Sequence, residues 1–391
     1  MCKIITFFCH KGGVGKTTIV QNLASALSSK GKNVLLIDAD PQMNLSSAVF
    51  GLSVNSDYNY ENDNKWSEYI EKYACLKDIL MPILDGDDIE KDKLDTFHYK
   101  DEYKTLFSNE ENNKDGSIDL LCGSFFSIDV IENKLSMIIR PDNPTSIFSK
   151  IKKQLHNIQD LLDKKYDFIL VDTPPSSTSL LNWLFVAISD YMIMPVQANL
   201  FSKQAVCNIG NILDNWSGIE KKGVSKFKGC FYHAELNPKG LKFETKLLGV
   251  IINNPRRTSK PTTNSNNEMS KYKCELREII NREVSKHNYL ITQGEFNAIF
   301  KNQTPFIIND ICHFTDKLND IAFKNGCSVY DLKNDMVTKE GINIVNEKLK
   351  YKEKDGKTKE KNNSYYKDYT GMKLAFDEMA ESLIRSSQVI F

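Results

Sequence analysis

The sequence has no excess charge of either sign: Lys plus Arg and Asp plus Glu each total 51 in 391 residues. A balanced chain makes no overall demand for nucleic acid or an anionic membrane, so any such surface must be local. No uninterrupted apolar run reaches the roughly 20 residues that span a bilayer. No basic region followed by an apolar stretch opens the chain, which argues against a secretory signal. The nine cysteines (Cys2, Cys9, Cys75, Cys122, Cys207, Cys230, Cys274, Cys312 and Cys327) are odd in number and form no C-x-x-C pair. That argues against a disulfide framework and against a zinc or iron–sulfur site. Several sit in apolar runs, where Cys behaves as a small core residue. The six histidines are scattered and suggest no metal site. These absences lead us to expect a reduced, cytoplasmic protein.

What is present is an ordinary globular composition, 41% apolar and 26% charged. It is enough for one large domain carrying insertions. Ile4 to Phe8 is a short β-prone run, followed by a Gly-rich turn over residues 11 to 15. Val20, Leu23, Ala24 and Leu27 then recur at helical spacing, and Val34 to Ile37 is the next apolar strand. Strand, helix, strand in so short a span is the unit of a parallel sheet. Phe168 to Val171, Met192 to Val196 and Leu247 to Ile252 also read as central strands, apolar on both faces. The expected fold is α/β, a mostly parallel sheet with helices on both faces. Residues 1–391 are read as a single domain, with insertions at about 53–115 and 255–300. A polar loop is expected at about 333–366 and a terminal helix at about 369–386. Within that loop, residues 347–366 interleave Lys with Glu and Asp and read as solvated or disordered.

The strongest local signal is Lys11-Gly12-Gly13-Val14-Gly15-Lys16-Thr17-Thr18, between a strand and a helix. A polyphosphate needs converging backbone N–H groups, and glycines permit that turn and a close approach. The helix that follows presents its positive end. Lys16 offers a mobile charge to the β- and γ-phosphates, and Thr17 a hydroxyl ligand to Mg²⁺. Asp38-Ala39-Asp40-Pro41-Gln42 directly follows the second strand. Asp172 ends a later strand and precedes Thr173-Pro174-Pro175. In an open parallel sheet the carboxyl ends of strands are where ligands bind, so these carboxylates face the phosphate loop. A carboxylate at the Asp172 position can hold Mg²⁺ while the metal bridges phosphate oxygens.

The usual phosphate loop has a glycine where this chain has His10, and it lacks a counterpart of Lys11. That departure resembles the deviant Walker A motif of the ParA/MinD superfamily of P-loop ATPases, and of its ParA/Soj-like partitioning branch. The resemblance implies that Lys11 reaches a partner's phosphates across an ATP-dependent homodimer. It further implies that Asp40 orients the attacking water, that Asp38 supports the Mg²⁺ shell, and that Pro174 and Pro175 shape a loop sensing the γ-phosphate. Gly249 to Asn253 resembles the strand whose terminal Asn reads adenine; Asn253 is the candidate, with Asn254 as an alternative. Ile118 to Ser124, Met194 to Gln197 and Ile311 to Leu332 resemble further family segments. His10 reads as a turn residue, because no His acts as general base in this family.

The implied activity is slow, partner-stimulated ATP hydrolysis with ATP and Mg²⁺ as cofactors. The implied partners are a second copy, nonspecific DNA and an activating protein, ParB-like or other. No helix-turn-helix-sized segment precedes the phosphate loop, which disfavours the autorepressing branch; the missing C-x-x-C disfavours the iron–sulfur carriers. The amphipathic segment from Met372 to Ile384 has a largely acidic polar face. A membrane-surface helix wants Lys and Arg there, so a packed helix is expected and no membrane partner. Lys221, Lys222, Lys226 and Lys228, and Arg256, Arg257 and Lys260, are compact basic clusters suited to DNA phosphates. The alternative is the same switch positioning another cargo, or serving a defence or regulatory complex, through its insertions.

Overall fold

The computed structural model describes residues 2–52, 68, 72–87, 89, 97–98, 116–123, 125–138, 151, 165–217, 244–253, 263–287, 289–301, 304–311, 316–345, 348–352 and 358–388. Its centre is an eight-stranded sheet. The strands in chain order are β1 (Lys3–Phe7), β2 (Val34–Asp38), β3 (Phe97–His98), β4 (Ile118–Leu121), β5 (Phe168–Asp172), β6 (Tyr191–Gln197), β7 (Lys246–Asn253) and β8 (Ile307–Ile311). Their spatial order is β3-β4-β2-β5-β1-β6-β7-β8. Every pairing is parallel except β3 with β4, where two residues close the edge antiparallel. Strands β2, β4 and β5 are buried along their whole length. That explains why they read as continuous apolar runs and not as alternating ones.

From β1 the chain passes through α1 (Lys16–Ser29) to β2 on one side; from β5 it passes through α5 (Leu180–Ile188) to β6 on the other. Right-handed crossovers running in opposite directions place their helices on opposite faces of the sheet. The reversal falls at β5 and β1, and it opens a crevice at their carboxyl ends. Between these helices come α2 (Asn44–Phe50), α3 (Leu76–Asp85) and α4 (Phe125–Ile138). After β6 come α6 (Leu200–Ser217), α7 (Thr263–Ile279), α8 (Gln293–Ile299), α9 (Asp316–Lys324), α10 (Asn334–Thr338) and α11 (Ser364–Gln388). Helix α11 packs on α1 and on β8 and buries Met372, Phe376, Met379, Ala380 and Leu383. It is packed, as its acidic polar face leads one to expect. No helix among the described residues is long and apolar enough to cross a membrane.

The expected polar loop at 333–366 is corrected in two places. Residues Asn334–Thr338 are helical, and Lys348–Lys352 (β9) pairs antiparallel with Thr358–Asn362 (β10). The interleaved charges that read as solvation are cross-strand partners: Glu360 lies 3.5 Å from Lys348 and 3.9 Å from Lys350. The terminal helix also begins earlier than residue 369. Asn363 accepts a hydrogen bond from the Tyr366 N–H (3.2 Å) and caps a start at Ser364. Most of the expected insertion at 53–115, the Arg256–Lys260 and Lys221–Lys228 clusters, and Asn254 lie outside the described residues.

Candidate functional site

The phosphate loop leaves β1 and turns into α1 with Gly13 at φ 71° and Gly15 at φ 86°. The outward carbonyls of the turn are held from the neighbouring strands. The Gln197 side-chain amide at the end of β6 donates to the Gly13 carbonyl (2.6 Å), and the Asn253 amide at the end of β7 donates to the Val14 carbonyl (3.1 Å). In a trans peptide the N–H points opposite to the C=O. Anchoring these two carbonyls therefore turns the Val14 and Gly15 N–H groups the other way, into the concave side of the loop. Asn253 thus sits against the phosphate loop. A Cβ on Gly15 would stand 2.3 Å from its amide nitrogen.

At the start of α1, Lys16 is almost buried and the Thr17 hydroxyl donates to Asp172 Oδ2 (2.6 Å). Asp172 and Asp38 are side by side in the parallel register of β5 and β2, and both are fully buried. Asp38 Oδ2 accepts the Ser46 N–H (2.8 Å) and hydroxyl (2.7 Å), and its Oδ1 accepts the Asp40 N–H (3.2 Å). Asp38 therefore ties the Asp40 turn and α2 to the strand end. Asp40 Oδ1 accepts the Gln42 N–H (2.9 Å). Asp172 Oδ1, by contrast, is buried without a hydrogen-bond partner.

The electrostatics follow from this crowding. Burial, opposed by its hydrogen bonds to Ser46, pushes the Asp38 carboxyl up to about 7. Burial, with Asp38 alongside, pushes Asp172 up to about 8, against the pull of the Thr17 hydroxyl and Lys16. Burial also raises Asp40, opposed by the Gln42 N–H and Lys16. Three carboxylates crowd together, Lys16 acts on two of them, Asp40 and Asp172, and Asp172 has an oxygen facing no donor. The site is short of positive charge, and a divalent cation fits it. No group of three or more His, Cys, Asp or Glu side chains suited to a metal exists among the described residues. A metal here would rest on few protein ligands, which suits Mg²⁺, a cation that keeps waters and shares phosphate oxygens.

Lys11 lies on the opposite rim. Its Nζ donates to Asn199 Oδ1 (3.1 Å) and Gln197 Oε1 (3.5 Å), and it stands 5.7 Å from the centre of the Phe201 ring. Leu200 and Phe201 beside it are 75% and 73% exposed, so the lysine borders an open apolar patch.

Several residues of the site were not singled out from the sequence. The Thr173 hydroxyl donates to the Phe7 carbonyl (2.7 Å), and the Asn182 amide donates to the Pro174 carbonyl (2.9 Å), so the loop after Asp172 is braced at both ends. Glu132 of α4 accepts the Leu180 (2.9 Å) and Leu181 (3.1 Å) N–H groups and the Ser179 hydroxyl at the start of α5. A lone Glu in a mixed segment carries no local signal of that role. Ser46, whose hydroxyl accepts the Gly123 N–H (3.0 Å), and Gln197, which holds Gly13, likewise act through partners distant in sequence.

Sheet order, a phosphate loop at the switch point and carboxylates at the strand ends define a P-loop nucleotide-binding protein. Residues 2–226 match the AAA domain family AAA_31, more than half of the sequence, and the chain belongs to that family, within the ParA/MinD superfamily of P-loop ATPases. It is 28% identical over 257 residues to the uncharacterized protein MJECL24 of Methanocaldococcus jannaschii, covering 66% of this chain and 75% of that one. It is 28% identical over 211 residues to the sporulation initiation inhibitor protein Soj of Bacillus subtilis, covering 54% of this chain and 64% of Soj. Among solved structures, pNOB8 ParA superposes with a TM-score of 0.53 at 18% identity, over 99% of each chain, which supports the fold.

Proposed function

We propose that the protein is an Mg-ATP-dependent ATPase switch that dimerises on ATP binding, acts in DNA or plasmid partitioning, and binds DNA nonspecifically in its ATP state. The observation that carries the nucleotide reading is the convergence of Lys16, Thr17 and the partnerless Asp172 Oδ1 at the mouth of the anchored phosphate loop. Gly12 to Thr18 bind the phosphates through backbone N–H groups, and Lys16 meets the β- and γ-phosphates with its charge. Thr17 and Asp172 hold Mg²⁺, and Asp38 supports that shell by fixing the Asp40 turn. When bound, Mg²⁺ neutralises charge on the β- and γ-phosphate oxygens. Asp40 accepts a hydrogen bond from the attacking water and aims it. Asn253, at the end of β7, contacts the base. Lys11 acts in trans on the partner's phosphates, where a cation stabilises developing charge.

The test is phosphate release from saturating Mg-ATP, with DNA and candidate activators. Wild type should turn over and Lys16→Ala should not. Equal release by the two proteins in every condition would sink the reading.

A further inference from the structure

Gln197 is held at both ends of its backbone. Its N–H donates to the Ser202 hydroxyl (3.1 Å), and its carbonyl accepts the Tyr272 hydroxyl of α7 (2.8 Å). From that fixed point the side chain faces two ways. The amide nitrogen donates to the Gly13 carbonyl, and the amide oxygen accepts from Lys11 Nζ and from the Asn199 amide (3.0 Å). A carboxamide can donate to a carbonyl through its nitrogen and accept from an ammonium through its oxygen at once. Asn199 Oδ1, the second acceptor for Lys11, also accepts the Ser202 N–H (2.9 Å) at the start of α6. The lysine implied to act on a partner is thus folded against its own subunit, on the side chain that holds the phosphate loop.

We propose that Gln197 is a positioning residue that couples the phosphate loop to Lys11, keeping the lysine on its own subunit until the Gly13 peptide shifts. A movement of the Gly13–Val14 peptide toward a phosphate draws its carbonyl off the Gln197 amide. The amide is then free to rotate, and Lys11 loses one of its two acceptors. Nucleotide in the loop and a lysine free to reach a partner become one event. The consequence for turnover rests on the ATPase reading; the contact itself does not.

Two substitutions separate coupling from mere support. Both Gln197→Glu and Gln197→Leu remove the donor to Gly13. Only Gln197→Glu strengthens the hold on Lys11, by placing a carboxylate against the ammonium, whereas Gln197→Leu releases it. Nucleotide-free protein is treated with an amine-reactive succinimidyl ester, and the Lys11 peptide is followed by mass spectrometry. The expected result is slower Lys11 labelling than wild type in Gln197→Glu and faster labelling in Gln197→Leu, the two rates differing by about tenfold, the scale of coupling between contacting residues. Under Mg-ATP, KM should fall alike in both variants, because nucleotide no longer has to break the Gly13 contact, while kcat falls by about tenfold only in Gln197→Glu. Labelling rates that move in the same direction, or stay at the wild-type rate, overturn the proposal, as does an equal loss of kcat in both. If the wild type releases no phosphate, the ATPase reading fails, and Lys11 labelling of wild type with and without Mg-ADP still decides the coupling: faster labelling with nucleotide supports it, and an unchanged rate overturns it.

Discussion

Gly15 combines a φ of 86° with a wall 2.3 Å from where a Cβ would stand. Gly15→Ala therefore meets two penalties, a left-handed backbone and the Asn253 amide, and should destabilise the fold by about 1–2 kcal/mol from the backbone alone. Urea unfolding reads that loss, and titration with a fluorescent ATP analogue should show binding falling further than stability. Asp172 makes the opposite case. Its Oδ1 faces no donor and its neighbour Asp38 is another buried carboxylate. An amide of the same shape still accepts from Thr17 and carries no charge. Asp172→Asn should stabilise the metal-free protein by about 1 kcal/mol, the lower end of the cost of an unsatisfied buried group. It should also remove the extra thermal stability that Mg²⁺ adds to ATP-bound protein. A metal-free Asp172→Asn protein that melts below wild type would show that the carboxylate is satisfied by something else.

At the scale of elements, α11 shows how a terminal segment becomes core. Phe376 is fully buried where α11 meets α1 and β8. Phe376→Ala should cost about 3–5 kcal/mol, read as a lower urea midpoint with an unchanged slope; a cost below about 1 kcal/mol would mean that the helix is only lightly docked. Elements of this kind were legible where the pattern is local. Val34 to Ile37 and Phe168 to Val171 announce buried parallel strands because both of their faces are apolar. The eight residues from Lys11 to Thr18 announce a phosphate loop because a strand, glycines and a helix start coincide. Legibility ends where partners are far apart in sequence. Nothing near Glu132 says that it caps α5, nothing near Ser46 says that its hydroxyl accepts the Gly123 N–H, and the charges of β9 and β10 pair only once the hairpin closes.

For the whole molecule as the proposed switch, one face sets both its copy number and what it grips. Lys11 beside exposed Leu200 and Phe201 gives one face both a cation and an apolar surface. Light scattering should show a monomer without nucleotide and a dimer with ATP, with Asp40→Ala held as the dimer and Lys11→Ala impaired in turnover more than in ATP binding. An Asp40→Ala protein that stays monomeric with ATP bound would count against the dimerising switch. DNA affinity should be higher with ATP than with ADP and should fall steeply with salt, because phosphates set it; anisotropy titrations of duplex DNA at two salt concentrations measure both. No gain with ATP at low salt would favour a protein cargo. The docking of α11 on α1 also bears on how the protein is made. Helix α1 is synthesised first and buries nearly all of its length, yet part of its cover is the last helix described. At ordinary elongation rates of about 5–20 residues per second, α11 follows α1 by roughly 20–70 s. For that interval a nascent chain carries its nucleotide loop on a helix that lacks part of its cover, and ATP binding should mature only once α11 has docked.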